Sequence, residues 1–269
     1  MPGTIGRGED LGCEALQVFV KSPSQWRGRA IDDAEAEEFR RRHAASAIGP
    51  VIAHSAYLIN LATPDEEKAR LSRDALGDEL DRCERLGIDG LVLHPGAHLG
   101  RGEEVALAAI SAALDEVLGP RSDYGVRVLL ENTAGQGTLV GYRLEHLRII
   151  RDATSHPHRI GVCLDTCHAF AAGYPLHEAG GYDDFWAEFG ELFDAPQLGC
   201  LHLNDSKYPY GSKRDRHDNI GAGHLGPKPF ERLVNDPALA EIPMLLETPL
   251  GDDQQGHRRD LDLLRSMRL

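Results

Sequence analysis

Along the chain, short runs of valine, isoleucine and leucine alternate with longer stretches in which apolar residues recur every three or four positions. Seven such runs stand out: "ALQVFV", "PVIAH", "GLVLHPG", "VRVLLENT", "IGVCLDT", "LGCLHLND" and "PMLLETP". None alternates apolar with polar residues, so each reads as a strand covered on both faces, as parallel strands packed beneath helices are. They end near Val20, His54, His94, Glu131, Asp165, His202 and Glu247, with successive ends 34 to 45 residues apart. That interval holds one strand and one crossover helix.

The intervening segments carry helix signals. "TPDEEKARLSRDALGDELDRCERLG" places Thr63 in a capping position, Pro64 in the first turn and Gly87 as a stop. "GYRLEHLRIIRDA" and "RDLDLLRSM" also space their apolar residues helically. Repeated strand–helix units joined by right-handed crossovers predict an α/β fold, a single (β/α)8-type TIM barrel domain over residues 1–269. A doubly wound open sheet would place a glycine-rich phosphate turn after the first strand, and the sequence has none there. The opening "TIGRGEDLG" reads as a helix where a closed eight-stranded barrel would need a strand before it. The expectation is a barrel lacking its first β-strand, either because translation starts upstream of Met1 or because the barrel is open at one seam.

Six of the seven runs end in a side chain able to bind metal: His54, His94, Glu131, Asp165, His202 and Glu247. In a parallel barrel the C-terminal strand ends share one face, which is where active sites form. "DTCH" adds His168 three positions after Asp165, and the polar loop "NDSKYPYGSKRDRHDNIGAGH" adds Asp215 and His217. Nine mixed imidazole and carboxylate candidates suit Zn²⁺ or Mn²⁺ better than Ca²⁺ or Mg²⁺, and at three or four ligands per ion they suffice for two or three ions. Cys163 and Cys200 read as packing residues on their strands. Cys167 sits in a turn with no second thiol pair to complete a chelate.

Composition narrows the context. Five cysteines, odd in number and scattered, point to reduced thiols rather than a disulfide framework. No apolar stretch reaches the length of a membrane span and no signal-like segment opens the chain, so a cytoplasmic protein with no membrane partner is expected. The net charge of −14 argues against a polyanionic partner unless bound cations alter the balance at the site.

The motifs "AHSAYLINLATP", "LVLHPGAH", "LLENTAGQG", "GVCLDTCHAFAAGY", "LHLNDSK…GSKRDRHDNIGAGH" and "LLETP" resemble, in order, those of the endonuclease IV family, zinc-dependent apurinic/apyrimidinic endonucleases on a xylose-isomerase-like barrel. The resemblance implies three Zn²⁺ ions, with Mn²⁺ acceptable at one. His54 and His94 would bind the first, with Glu131 bridging to the second as the catalytic carboxylate. Asp165, His202 and Glu247 would complete the second, and His168, Asp215 and His217 would hold the third. Paired ions about 3.5–4 Å apart activate water for phosphodiester hydrolysis. The resemblance therefore implies incision 5′ to an abasic site in double-stranded DNA by a monomer, leaving a 3′-hydroxyl and a 5′-deoxyribose phosphate. Three divalent ions would move the charge from −14 to about −8.

Lys21, Arg27 and Arg29, with Lys207, Lys213, Arg214 and Arg216, are expected to flank the mouth as phosphate contacts. Tyr57 and Leu58 would fill the gap left by an extruded abasic nucleotide, and Gln25 and Trp26 would lie in a second DNA-facing loop. Ser24 stands where some relatives carry arginine. His43, His98 and His224 fall outside the ligand set. Two rival readings are a divalent-metal sugar isomerase or epimerase on the same scaffold, and a DNA-damage binding protein without catalysis. The first would place a lysine at a strand end, and no strand end here carries one.

Overall fold

The computed structural model describes residues 3–269. In chain order the main elements are α1 (Gly3–Leu11), β1 (Leu16–Val18), α2 (Asp33–Ala45), β2 (Val51–His54), α3 (Glu66–Leu86), β3 (Gly90–Leu93), α4 (Glu103–Leu118) and β4 (Arg127–Glu131). They are followed by α5 (Leu144–Ala153), β5 (Ile160–Asp165), α6 (Thr166–Ala172), α7 (Ala179–Leu192), β6 (Leu198–His202), β7 (Asp205–Ser206), β8 (His217–Asp218), α8 (Lys228–Asn235), β9 (Met244–Leu245) and α9 (Gly256–Ser266). The segment ahead of β1 is helical, as its sequence predicted. No described helix is long and apolar enough to cross a membrane.

The chain forms two compact units, Met1–Glu131 with Ile149–Val162, and Asn132–Arg148 with Cys163–Leu269. In the first, the strand order is β1-β2-β3-β4-β5. The β1 to β4 pairings are parallel, with Ala53 opposite Val18, His54 opposite Val92 and Leu93 opposite Leu130. One position beyond that last pair, His94 and Glu131 leave neighbouring strands side by side. The strands bury Val51, Leu91, Val92, Val128 and Leu130, and α3 turns Leu76, Leu80, Cys83 and Leu86 inward at helical spacing. Gly87, at φ 69°, ends α3 in the left-handed conformation that a side chain disfavours. Three buried positions of α3 are polar, Ser72, Glu79 and Arg82, and of the two charged ones Glu79 is only 1% exposed.

In the second unit, the end of β5 neighbours β6, and β6 pairs parallel with β9. A two-residue antiparallel ribbon, β7 with β8, sets Ser206 opposite His217. Asp165 ends β5 and caps α6, its Oδ1 accepting the His168 backbone N–H at 2.7 Å.

Three boundaries differ from the sequence expectation. Helix α3 is capped by Asp65, whose side chain accepts from the Lys68 backbone N–H, rather than by Thr63. The Thr63 hydroxyl accepts the Asp65 N–H instead and shapes the approach to the helix. Strand β1 ends at Val18 and β9 at Leu245, short of Val20 and Glu247. None of the five cysteines is in a disulfide, and Cys83, Cys163, Cys167 and Cys200 are buried.

Candidate metal centre

In the first unit, β2, β3 and β4 deliver His54, His94 and Glu131 from the same strand ends. Their ligand atoms all lie within 4.8 Å of one another. His54 Nε2 is 3.2 Å and His94 Nε2 2.8 Å from Glu131 Oε2, and the Glu131 side chain is fully buried. His54 Nδ1 lies 2.8 Å from the Ser55 carbonyl. A carbonyl only accepts, so Nδ1 carries the proton and Nε2 presents a lone pair.

The second unit gathers the remaining candidates. His202 Nδ1 lies 3.4 Å from Glu247 Oε2 and 3.8 Å from Asp165 Oδ2. The β7–β8 ribbon brings His217 Nε2 to 3.6 Å from Asp165 Oδ2 and 3.5 Å from Asp215 Oδ1, while His168 Nε2 lies 3.1 Å from Asp215 Oδ1. His168 Nδ1 donates to the Asn132 carbonyl at 3.0 Å and His217 Nδ1 to the Glu247 carbonyl at 3.3 Å. The ligand atoms of His168, Asp215 and His217 also lie within 4.8 Å of one another.

These contacts test whether a cation fits. Three imidazoles, those of His54, His168 and His217, have one nitrogen committed to a backbone carbonyl and turn the other toward carboxylates. In the neutral ring that places a lone pair against carboxylate oxygens, an arrangement that a bound cation satisfies. His217 Nε2 is buried with no hydrogen-bond partner, its carboxylate neighbours lying beyond hydrogen-bond reach. Ligands about 2.0–2.2 Å from one tetrahedral ion lie ~3.3–3.6 Å apart. The separations around His217, and that of His202 from Glu247, match this spacing. The donor set fits Zn²⁺.

The thiols are weaker ligands. Cys163, Cys200 and His202 have donor atoms within 4.8 Å of one another, as do Asp165, Cys167 and His217. Burial, aided by the Asp165 charge, pushes the Cys167 thiol up to about 12, so it is protonated at neutral pH, and its Sγ donates to the Arg216 carbonyl at 3.6 Å.

Sequence reasoning missed two asparagines. Asn204 Nδ2 donates to Asp165 Oδ2 at 2.6 Å, and its Oδ1 accepts the Glu247 N–H at 2.9 Å. Asn132 Oδ1 accepts the Asp165 N–H at 2.6 Å, and its Nδ2 returns a bond to the Asp165 carbonyl at 3.1 Å. Both are buried, and together they fix how Asp165 is presented. The available signal was an amide at the end of an apolar strand, where burial is costly without partners.

Among the expected DNA contacts, Tyr57 is 67% and Leu58 38% exposed, large apolar surface left to solvent. Gln25 is exposed and Trp26 half-buried. Lys207, Lys213, Arg214 and Arg216 are exposed, and the Arg214 guanidinium lies 4.6 Å above the Tyr208 ring. Lys21 departs from expectation. It is buried in an ion pair with Glu79 at 3.1 Å and is not a surface cation. Arg29 is exposed and engaged by Glu35. His98 Nδ1 accepts the Gly100 and Gly102 N–H groups and shapes the loop after β3, His43 contacts the Gly49 carbonyl, and His224 is exposed.

The family described as "Xylose isomerase-like TIM barrel" matches residues 6–267, the fold class that the strand spacing predicted. The chain is 44% identical to a "Probable endonuclease 4" of Geobacter sp. (strain M21) over 98% of its length and 93% of the relative's. A "Probable endonuclease 4" of Chloroflexus aurantiacus is similar at the same identity and coverage. The crystal structure of endonuclease IV from Thermus thermophilus superposes with a TM-score of 0.85 at 35% identity, covering 99% of this chain and 93% of that one. The chain belongs to the endonuclease IV family.

Proposed function

We infer that the protein is a DNA-repair hydrolase that cleaves the phosphodiester bond 5′ to an abasic site in duplex DNA, using three Zn²⁺ ions held by the nine candidate residues. Membership of the endonuclease IV family supports endonuclease chemistry. The observation that carries the metal reading is the set of carbonyl-anchored imidazoles facing carboxylates, an arrangement that bound cations would satisfy. In this reading His54 and His94 would hold one ion, Glu131 would serve it and a second, Asp165, His202 and Glu247 would complete the second, and His168, Asp215 and His217 would hold the third. Mn²⁺ is acceptable at one position.

When bound, such ions supply Lewis acidity for water activation and for charge developing on phosphate oxygens. The chain's own groups do the rest. Glu131, fully buried, supplies the charge that fixes the first pair of imidazoles and is the group expected to orient the attacking water. Asn132 and Asn204 hold Asp165 in a single orientation. Tyr57 and Leu58 take the place of the extruded abasic nucleotide, an extrusion that costs little because that nucleotide has no base to unstack. Lys207, Arg214 and Arg216 meet phosphates, and Gln25 and Trp26 meet the duplex from their own loop.

The test is incision of a duplex carrying one tetrahydrofuran abasic analogue, before and after prolonged chelation, alongside elemental analysis. Three zinc ions per chain and a 3′-hydroxyl product that disappears on chelation are expected. Binding of the duplex without incision at full metal content would overturn the reading.

A further inference from the structure

Lys21 and Glu79 form an ion pair at 3.1 Å with each side chain 1% exposed. The two lie on different elements, Lys21 just beyond β1 and Glu79 in the inward row of α3. A buried ion pair is a weak stabiliser, and apolar residues of similar volume often serve as well. What an apolar pair could not do is hold backbone, and each member here holds a different loop. Glu79 Oε1 and Oε2 accept the Ala56 N–H at 3.1 and 3.3 Å, and Ala56 directly precedes Tyr57 and Leu58. Lys21 Nζ donates to the Trp26 carbonyl at 2.9 Å, within the loop that carries Gln25, and to the Ala75 carbonyl of α3 at 3.4 Å. The loops also meet directly, Tyr57 N–H donating to the Pro23 carbonyl at 3.1 Å. Gly28 lets the second loop close on the lysine stem, since a Cβ there would come within 2.8 Å of Lys21 Cβ. Burial raises the Glu79 carboxyl, and the Lys21 charge opposes that rise.

We propose that Lys21 and Glu79 are positioning residues that lock the Tyr57–Leu58 turn and the Gln25–Trp26 loop into one register, so that the two engage damaged duplex as a unit. The proposal rests on the reading that these loops meet DNA. It is tested on metal-replete Lys21→Met and Glu79→Gln enzymes. The readouts are zinc content, kcat and KM for incision of the tetrahydrofuran duplex, and the fluorescence of 2-aminopurine placed opposite the lesion.

Both variants should retain zinc and hold kcat within about threefold. KM should rise about tenfold or more in Lys21→Met, the scale expected for a sub-ångström to one-ångström misplacement of binding groups, and less in Glu79→Gln, whose amide oxygen still accepts from Ala56. The 2-aminopurine signal at saturating enzyme should fall in parallel. Combined with Tyr57→Ala, Lys21→Met should add less than it does alone, because the two loops engage the duplex as a unit. Unchanged KM and fluorescence in a folded variant overturn the proposal, and if Lys21→Met does not fold, Glu79→Gln decides. Failure of the unsubstituted enzyme to nick the duplex is a separate result that removes the functional reading instead.

Discussion

Asn204 joins Asp165 to Glu247 through a single amide, donating to the Asp165 carboxylate at 2.6 Å and accepting the Glu247 N–H at 2.9 Å. Two candidate ligands, one closing β5 and the other lying two residues beyond β9, are thus oriented by a residue that offers no ligand of its own. Removing such a support typically weakens metal binding about 10–100-fold. Asn204→Ala should therefore lose zinc to a competing chelator at a concentration about 10–100-fold lower than the unsubstituted protein does. Equal chelator resistance in the two proteins would show that the amide merely fills space.

His168 and Asp215 face each other at 3.1 Å, the first buried and the second partly exposed. On the three-ion reading, His168→Ala or Asp215→Ala should cost one bound zinc and lower incision by a factor on the order of a hundred or more, with the far-ultraviolet circular dichroism unchanged. Three ions and full activity in either variant would remove both residues from the third site.

The fold was legible because parallel strands buried on both faces appear in sequence as short apolar runs, and six of these end in ligand-type side chains. The clusters of candidate ligands were legible for the same reason: strand ends that meet in space are marked in sequence by His, Asp or Glu closing an apolar run. What the pattern hid was set by long-range hydrogen bonding. The run "PMLLETP" looks like a strand to Glu247, yet β9 stops at Leu245, and the Glu247 N–H pairs with the Asn204 side chain instead of a neighbouring strand. Lys21 read as a surface cation because its partner Glu79 lies far along the chain. The clue was on α3, where a carboxylate on the apolar stripe requires a buried donor.

Tyr182 supplies a pH prediction away from the metal residues. It is 4% exposed beneath the Arg232 guanidinium, which lies 3.8 Å from the ring centroid, and burial pushes its phenol from 10.0 up to about 12. The folded value is raised, so below pH 10 neither state ionises and the group adds no pH dependence. As pH climbs from 10 toward 12 the unfolded chain releases a proton that the folded protein keeps, and stability falls by at most about 1.4 kcal/mol per pH unit. Tyr182→Phe should abolish this component. The difference in urea-unfolding free energy between the two proteins should be flat up to pH 10 and then grow in favour of the variant. A difference that stays constant through pH 11.5 would mean that the phenol ionises as readily in the folded protein as in the unfolded chain.

Arg214 lies over the Tyr208 ring, and the neighbouring Arg216 donates from Nη1 to the Asp215 carbonyl at 2.6 Å, so both cations are tethered on an exposed loop. Held in place, a guanidinium surrenders little conformational freedom when it meets a phosphate. Each phosphate neutralised releases condensed counterions, giving a slope in log K against log salt of about 0.9 per contact. Arg214→Ala should therefore flatten the salt dependence of binding to the abasic duplex by about 0.9 and weaken binding to undamaged duplex by a similar factor, because phosphates carry no information about the lesion. Tyr57→Ala makes the opposite prediction: an unchanged salt slope, with affinity lost for abasic DNA only. Measuring both slopes by fluorescence anisotropy between about 50 and 200 mM salt separates the two roles. An unchanged slope in Arg214→Ala would move that arginine out of the DNA interface and leave its ring contact as a device for shaping the loop.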